Sequence, residues 1–184
     1  LSHKGDTLHK VNATEEGTMA NLRIPGPTPC PEDVLEASGR QMINHRSPEF
    51  RDILIRTTER LQQLFLTTND LYILTASGTG AMEAAIVNTL SPGDRVIAVT
   101  IGVFGDRFVQ IAQAYGVEVQ VVKAEYGKAI EPDEVRKALQ ADPAVKAVLI
   151  THNETSTGVT NDLEAVAGIV KGEFGKLLLV DAIS

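Results

Sequence analysis

An alternation constrains this chain most. Short apolar runs rich in Val, Ile and Leu occupy residues 71–76, 95–99, 117–122, 144–151 and 176–181. Between them lie stretches of helical pattern at 80–90, 106–115, 132–140 and 163–174. Brief, nearly continuous apolar runs suit strands buried on both faces. Strand–helix–strand units then close into a parallel sheet through right-handed crossovers. The expected fold class is therefore α/β, a mainly parallel sheet with helices on both faces. Local chemistry supplies the boundaries. Ser91-Pro92-Gly93-Asp94 turns into a strand, Gly116 stops a helix, and Pro132 with Asp133 and Glu134 opens another.

Ahead of the alternation, residues 21–31 form a proline-rich entry, extended and turning. Pro31, Glu32 and Asp33 open a helix expected to reach about Asn44. Ser47-Pro48-Glu49 opens a second, with Phe50, Ile53, Leu54, Thr57, Leu61, Leu64 and Phe65 on one face. Residues 1–18 are polar and lack an apolar signal core. They are expected to be a leader, disordered or vector-derived, with Met19 as the native start. Residues 19–66 then form an arm with helices, and 67–184 the α/β portion.

A chain of 184 residues that is 43% hydrophobic can bury a substantial core. Aromatics are scarce at 4% and Trp is absent, which fits an Ala/Val/Ile/Leu-packed sheet. The net charge of −7 argues against a nucleic-acid partner, and no basic stripe or long apolar run suggests a membrane. Cys30 is the single cysteine, so no internal disulfide or thiolate cluster is expected, and a reducing cytoplasm follows.

Open parallel sheets bind ligands beyond the carboxyl ends of their strands, and polar residues collect there. Ser77-Gly78-Thr79-Gly80 stands where an apolar run meets a helix, offering two hydroxyls and two glycines that let backbone amides approach an anion. The tetrapeptide alone fits a phosphate cradle and an ordinary sharp turn equally. A dinucleotide fingerprint is disfavoured because Glu83 fills its third glycine position, and no lysine follows the glycines as a P-loop requires. Asp181 closes the run Leu177-Leu178-Leu179-Val180. A carboxylate there needs a partner, whether a helix cap, a salt bridge or the N–H⁺ of a heterocyclic ligand. Phe104 lies among glycines, where its ring packs back on the core or leans out to stack on a flat ligand. His152-Asn153-Glu154-Thr155 follows another strand with hydrogen-bonding groups, or is simply a polar connection.

Taken in order, several segments resemble the class V, fold-type I aminotransferases that depend on pyridoxal 5'-phosphate (PLP). They are Pro25-Gly26-Pro27-Thr28-Pro29, His45-Arg46-Ser47-Pro48-Glu49-Phe50, the run from Ala76 to Ala85, Gly105-Asp106-Arg107-Phe108, the run from Thr151 to Val159, and Val180-Asp181. The Thr151 to Val159 run is the most specific. Within the family the chain is most similar to the alanine–glyoxylate and serine–glyoxylate enzymes, a group in which some cyanobacterial members carry the historical label soluble hydrogenase 42 kDa subunit.

The resemblance implies roles position by position. Ser77, Gly78 and Thr79 match the cofactor-phosphate loop. Phe104 matches the aromatic stacked on the pyridine ring, and Thr155 the hydroxyl near the ring's phenolic oxygen. Asp181 matches the carboxylate that keeps the ring nitrogen protonated, and Gly26 a backbone contact to the substrate carboxylate. The implied activity is amino transfer from a small amino acid, alanine or serine, to a keto acid such as glyoxylate, by a homodimer. The family's Schiff-base lysine lies a short way beyond the matching aspartate. By position Lys123, Lys128, Lys137, Lys146, Lys171 and Lys176 do not replace it. The chain is thus expected to be the N-terminal half of such an enzyme, with 67–184 the first part of an incomplete PLP-binding large domain, and to be inactive alone. Two alternatives stand: a cysteine desulfurase-like PLP lyase, for which Cys30 is badly placed, and a truncated domain without catalysis.

Overall fold

Alternating side chains give one short sheet two apolar faces. In β1 (Arg95–Thr100), Val96 and Ala98 join one buried cluster while Ile97 and Val99 join another. In β3 (Val145–Thr151), Ala147 and Leu149 face the first cluster, Val148 and Ile150 the second. The period of two along a strand produces this split, and apolar residues at every position require cover on both sides.

The computed structural model describes Ile24 and residues 26–184. The polar leader, Met19 and Pro25 lie outside the described residues. The chain divides into two units, Leu1–Thr57 and Thr58–Ser184. In the first, α1 (Glu32–Ser38) is shorter than the expected helix to Asn44. Gly39 caps it by donating its amide hydrogen to Leu35 O, and Ser38 Oγ donates back to Val34 O. The helix α2 (Pro48–Leu64) begins where Ser47 Oγ accepts from the Phe50 amide at 3.2 Å, and it runs across the division.

In the second unit the sheet order is β2-β1-β3-β6, with β2 at Glu118–Lys123 and β6 at Leu177–Asp181, all parallel. Helices α3 (Gly78–Thr89) and α4 (Val103–Ala114) cover one face through Met82, Ile86, Phe108 and Ala112. Helix α5 (Pro132–Ala141) and the segment of α6 (Leu163–Ala167) with its π-helical continuation Gly168–Glu173 cover the other, through Val135, Leu139, Val166 and Val170. The expected parallel sheet with helices on both faces is what the chain forms. From β1 the chain crosses to β2 on one side, then returns to β3 on the other. A crevice therefore opens at the carboxyl ends of β1 and β3.

Besides the shorter α1, four details depart from the sequence reading. Residues 71–76 are not a strand; Tyr72, Ile73 and Leu74 are exposed, and the segment pairs with no strand among the described residues. β-propensity describes a half-buried pleated surface and forms nothing without a neighbour. A two-stranded antiparallel hairpin, β4 (Asn153–Glu154) with β5 (Val159–Thr160), fills the connection after β3. Its tight turn returns the Thr157 and Gly158 amides to Glu154 O, with Gly158 at φ +69°. Helix α4 starts at Val103 rather than Asp106. The helix expected over 163–174 is α-helical only to Ala167 and π-helical beyond.

Candidate functional site

Helix α3 begins on the glycine-rich turn. Ser77 is its N-cap residue in extended conformation, yet its side chain makes no capping bond. The first intrahelical bond runs from Ala81 N to Ser77 O. The amides of Gly78, Thr79 and Gly80 precede that bond, so they are donors without helical acceptors beside an unused hydroxyl. Close packing explains the glycines. A Cβ at Gly80 would sit 2.8 Å from Ala76 Cβ, and one at Gly78 would meet the Ile183 side chain at 3.0 Å.

Helix α4 has the opposite arrangement. Its N-cap, Gly102, has no side chain, and the acceptors come from the β4–β5 hairpin. Ser156 Oγ accepts from Val103 N at 3.0 Å, while Glu154 Oε2 accepts from Phe104 N and Gly105 N, both at 3.1 Å. Glu154 is completely buried. Its other oxygen accepts from Ser156 N at 3.2 Å and from Ser156 Oγ at 2.6 Å. The first three amides of α4 are thereby satisfied, so of these two helix starts α3 is the one open to an anion. Phe104 is held half-buried on the second residue of α4.

Asp181 closes β6 beside Thr151, its register partner on β3. It is 7% exposed. One oxygen accepts from Thr151 Oγ1 at 3.4 Å and the other from the Ile183 amide at 3.2 Å. Neither donor is charged, so the carboxylate keeps its appetite for a cationic N–H. Thr155, just after β4, shares a 2.7 Å hydroxyl contact with Ser184, which also accepts from Asn153 Nδ2 at 3.1 Å.

These pieces enclose one cavity of about 200 Å³, lined by Ser77, Gly78 and Thr79 at one end, Phe104 and Thr155 at its sides, and Asp181. Six of the seven residues to which the resemblance gives a site role line it. Gly26 belongs to the first unit, in the segment before α1. Sequence reasoning gave no role to the lining residues Met82, Arg107, Ile183 and Ser184, and noted Asn153 only as a hydrogen-bonding group after a strand. Arg107 is the cationic one. Its Nη1 donates to Thr79 Oγ1 at 3.2 Å, and its guanidinium lies 5.6 Å from the Phe104 ring centroid. Position three residues after Phe104, one helical turn along, was the available signal. Glu154 was noted only as one of the hydrogen-bonding groups after a strand, not as a cap; a helix start with no local cap was the clue to that role.

The cavity therefore carries a cation near the open amides of α3 and an anion at the end of β6. It suits a flat molecule with an anionic group at one end and a protonated nitrogen at the other. Among the described residues no cluster of His, Cys, Asp and Glu is placed to hold a metal ion. No helix among them is long and apolar enough to cross a membrane.

Known proteins agree with this architecture. The soluble hydrogenase 42 kDa subunit of Anabaena cylindrica is 46% identical over 165 residues, which cover 89% of this chain and 43% of that protein. The serine–glyoxylate aminotransferase of Methylorubrum extorquens is 36% identical over 176 residues, 94% of this chain and 44% of the relative. A solved alanine–glyoxylate aminotransferase from Nostoc sp. superposes with a TM-score of 0.79 at 33% identity, covering 89% of this chain and 45% of its own. The chain thus spans less than half the length of these relatives. The family model for aminotransferase class V matches residues 24–184, and this chain belongs to that family.

Proposed function

We propose that this chain supplies the cofactor cradle of a PLP-dependent aminotransferase, which moves an amino group from a small amino acid, alanine or serine, to a keto acid such as glyoxylate. The observation that carries the reading is the convergence of Ser77, Gly78, Thr79, Phe104, Thr155 and Asp181 on one cavity. When bound, PLP supplies the electron sink that amino-group transfer requires.

The residues present fit that group. Uncapped amides at the start of α3, with the Ser77 and Thr79 hydroxyls, match a phosphate. Arg107, bonded to Thr79, adds positive charge beside it. The Phe104 ring offers a flat apolar surface for a pyridine. Buried Asp181, partnered by one hydroxyl and one amide, matches a protonated ring nitrogen and would hold that proton in place. The Thr155 hydroxyl, shared with Ser184, would orient a phenolic oxygen. The main chain at Gly26 would contact the substrate carboxylate.

The names of the relatives support the substrate class, since serine–glyoxylate and alanine–glyoxylate aminotransferases are both among them. Among the described residues no lysine lines the cavity, so the full-length protein is the one to assay. A cytoplasmic homodimer completes the reading. Adding PLP to the full-length apoprotein should produce the visible absorbance of the lysine-bound cofactor. Alanine or serine should bleach that band and glyoxylate restore it. A spectrum that ignores PLP, or a band untouched by either amino acid, would overturn the proposal.

A further inference from the structure

The β4–β5 hairpin contributes Asn153 and Thr155 to the cavity wall, but the residue between them points away from it. Glu154 is completely buried, and its carboxylate accepts the amides of Phe104 and Gly105 from across the fold, 50 and 49 residues away in sequence. Ser156, bonded to the same carboxylate, accepts the Val103 amide. Gly102 leaves room for this contact: a Cβ there would lie 2.5 Å from both Glu154 Cγ and Ser156 Oγ.

Such a cap does more than end a helix. A carboxylate hydrogen-bonded to amides is among the stronger acceptors. One residue further along α4 than the first capped amide is Phe104, and one residue further along the hairpin than Glu154 is Thr155. The cap therefore locks two walls of the cavity to each other.

Resting on the PLP reading above, we propose that Glu154 is a positioning residue: by capping α4 from the hairpin, with Ser156 as its partner, it sets the Phe104 ring against the cofactor. Glu154 is not among the residues that line the cavity. It acts through the Phe104 backbone.

The test uses the full-length protein and a double-mutant cycle between Glu154→Gln and Phe104→Leu. The glutamine keeps the shape, yet it loses the charge and turns an NH₂ toward one of the donors its oxygens accepted. In the wild-type background Glu154→Gln should raise the PLP dissociation constant about tenfold and weaken the visible circular dichroism of the bound cofactor, which reports ring orientation. In the Phe104→Leu background the same change should alter the constant less than about twofold, because residues acting as a unit are non-additive. Effects that multiply independently, or an unchanged constant for Glu154→Gln, overturn the proposal. If Glu154→Gln does not fold, Ser156→Ala takes its place in the cycle with a smaller effect of the same pattern, and independent effects overturn the proposal equally. Hydrogen exchange separates failure of this inference from failure of the PLP reading. If the wild-type protein binds no PLP, the cofactor reading fails, and the amides decide the cap. Exchange at Phe104 and Gly105 rising about tenfold while Ala112 and Gln113 stay protected supports it; no rise, or an equal rise along all of α4, overturns it.

Discussion

Thr151 and Asp181 are register partners on adjacent parallel strands, and the threonine hydroxyl donates to the aspartate at 3.4 Å. Both are buried, at 3% and 7% exposure. Asp181→Asn in the full-length protein should still bind PLP but transaminate about 100-fold more slowly, since a neutral amide cannot hold a proton on the ring nitrogen. Thr151→Val, which keeps the shape and removes one bond to Asp181, should slow the reaction about fivefold. Stopped-flow half-reactions with alanine or serine check both; wild-type rates in Asp181→Asn would refute its role.

At the other end of the cavity, Thr79 and Arg107 are joined by a 3.2 Å bond. Thr79→Ala should weaken PLP binding by about 1 kcal/mol, the value of one hydrogen bond. Arg107→Met removes a charge beside the proposed phosphate position and should cost about tenfold in affinity. Its binding should also vary less with salt than the wild type's, because one screened attraction is gone. Titration of the apoprotein at two ionic strengths measures both effects, and unchanged affinity in both variants would move the phosphate elsewhere.

Gly102 has an extended backbone, φ 171°, so a side chain there meets no torsional penalty. The obstacle is space, since Glu154 Cγ and Ser156 Oγ would lie 2.5 Å away. Gly102→Ala should destabilise the protein by about 1–3 kcal/mol through overpacking. Urea unfolding compared with Gly93→Ala separates the causes. Gly93, at φ +83° with nothing within 4 Å, would lose stability through its backbone alone.

Lys146 Nζ reaches Asp94 Oδ2 at 2.6 Å, and the Ser91 amide donates to the same oxygen at 2.8 Å. The lysine hydrogen bond first, then the Ser91 amide, hold the Asp94 carboxyl below the usual aspartate value. A depressed folded pKa contributes stability that is present above the unfolded value and is lost as pH falls through the folded one. Melting temperatures of wild type and Asp94→Asn should therefore differ at neutral pH and converge in acid. A gap that persists at low pH would contradict the linkage.

Some features announced themselves locally. The strands and helices over 95–181 followed from runs whose apolar period is plain, and Asp181 stood out as an acid closing an apolar run. The turn into α3 was legible because Ser77, Gly78, Thr79 and Gly80 stand in a row just before the helix former Ala81. Other features were not. Residues 71–76 have strand composition but no partner among the described residues, and the β4–β5 hairpin is too short for a period to appear. The π-helical turn at Gly168–Glu173 carries no proline or other local mark to separate it from an α-helix.

What the amino-acid order determined alone was the alternation of strand and helix, the two-faced sheet, and a set of residues placed at strand ends where ligands gather. These depend on neighbours a few positions apart, where period and capping chemistry act. Only the tertiary structure decided that Glu154 caps α4, that Arg107 joins Thr79, and that Asp181 rests against Thr151. Each pairs groups 28 to 50 residues apart, and local preference carries no information about which distant donors a buried acceptor will meet.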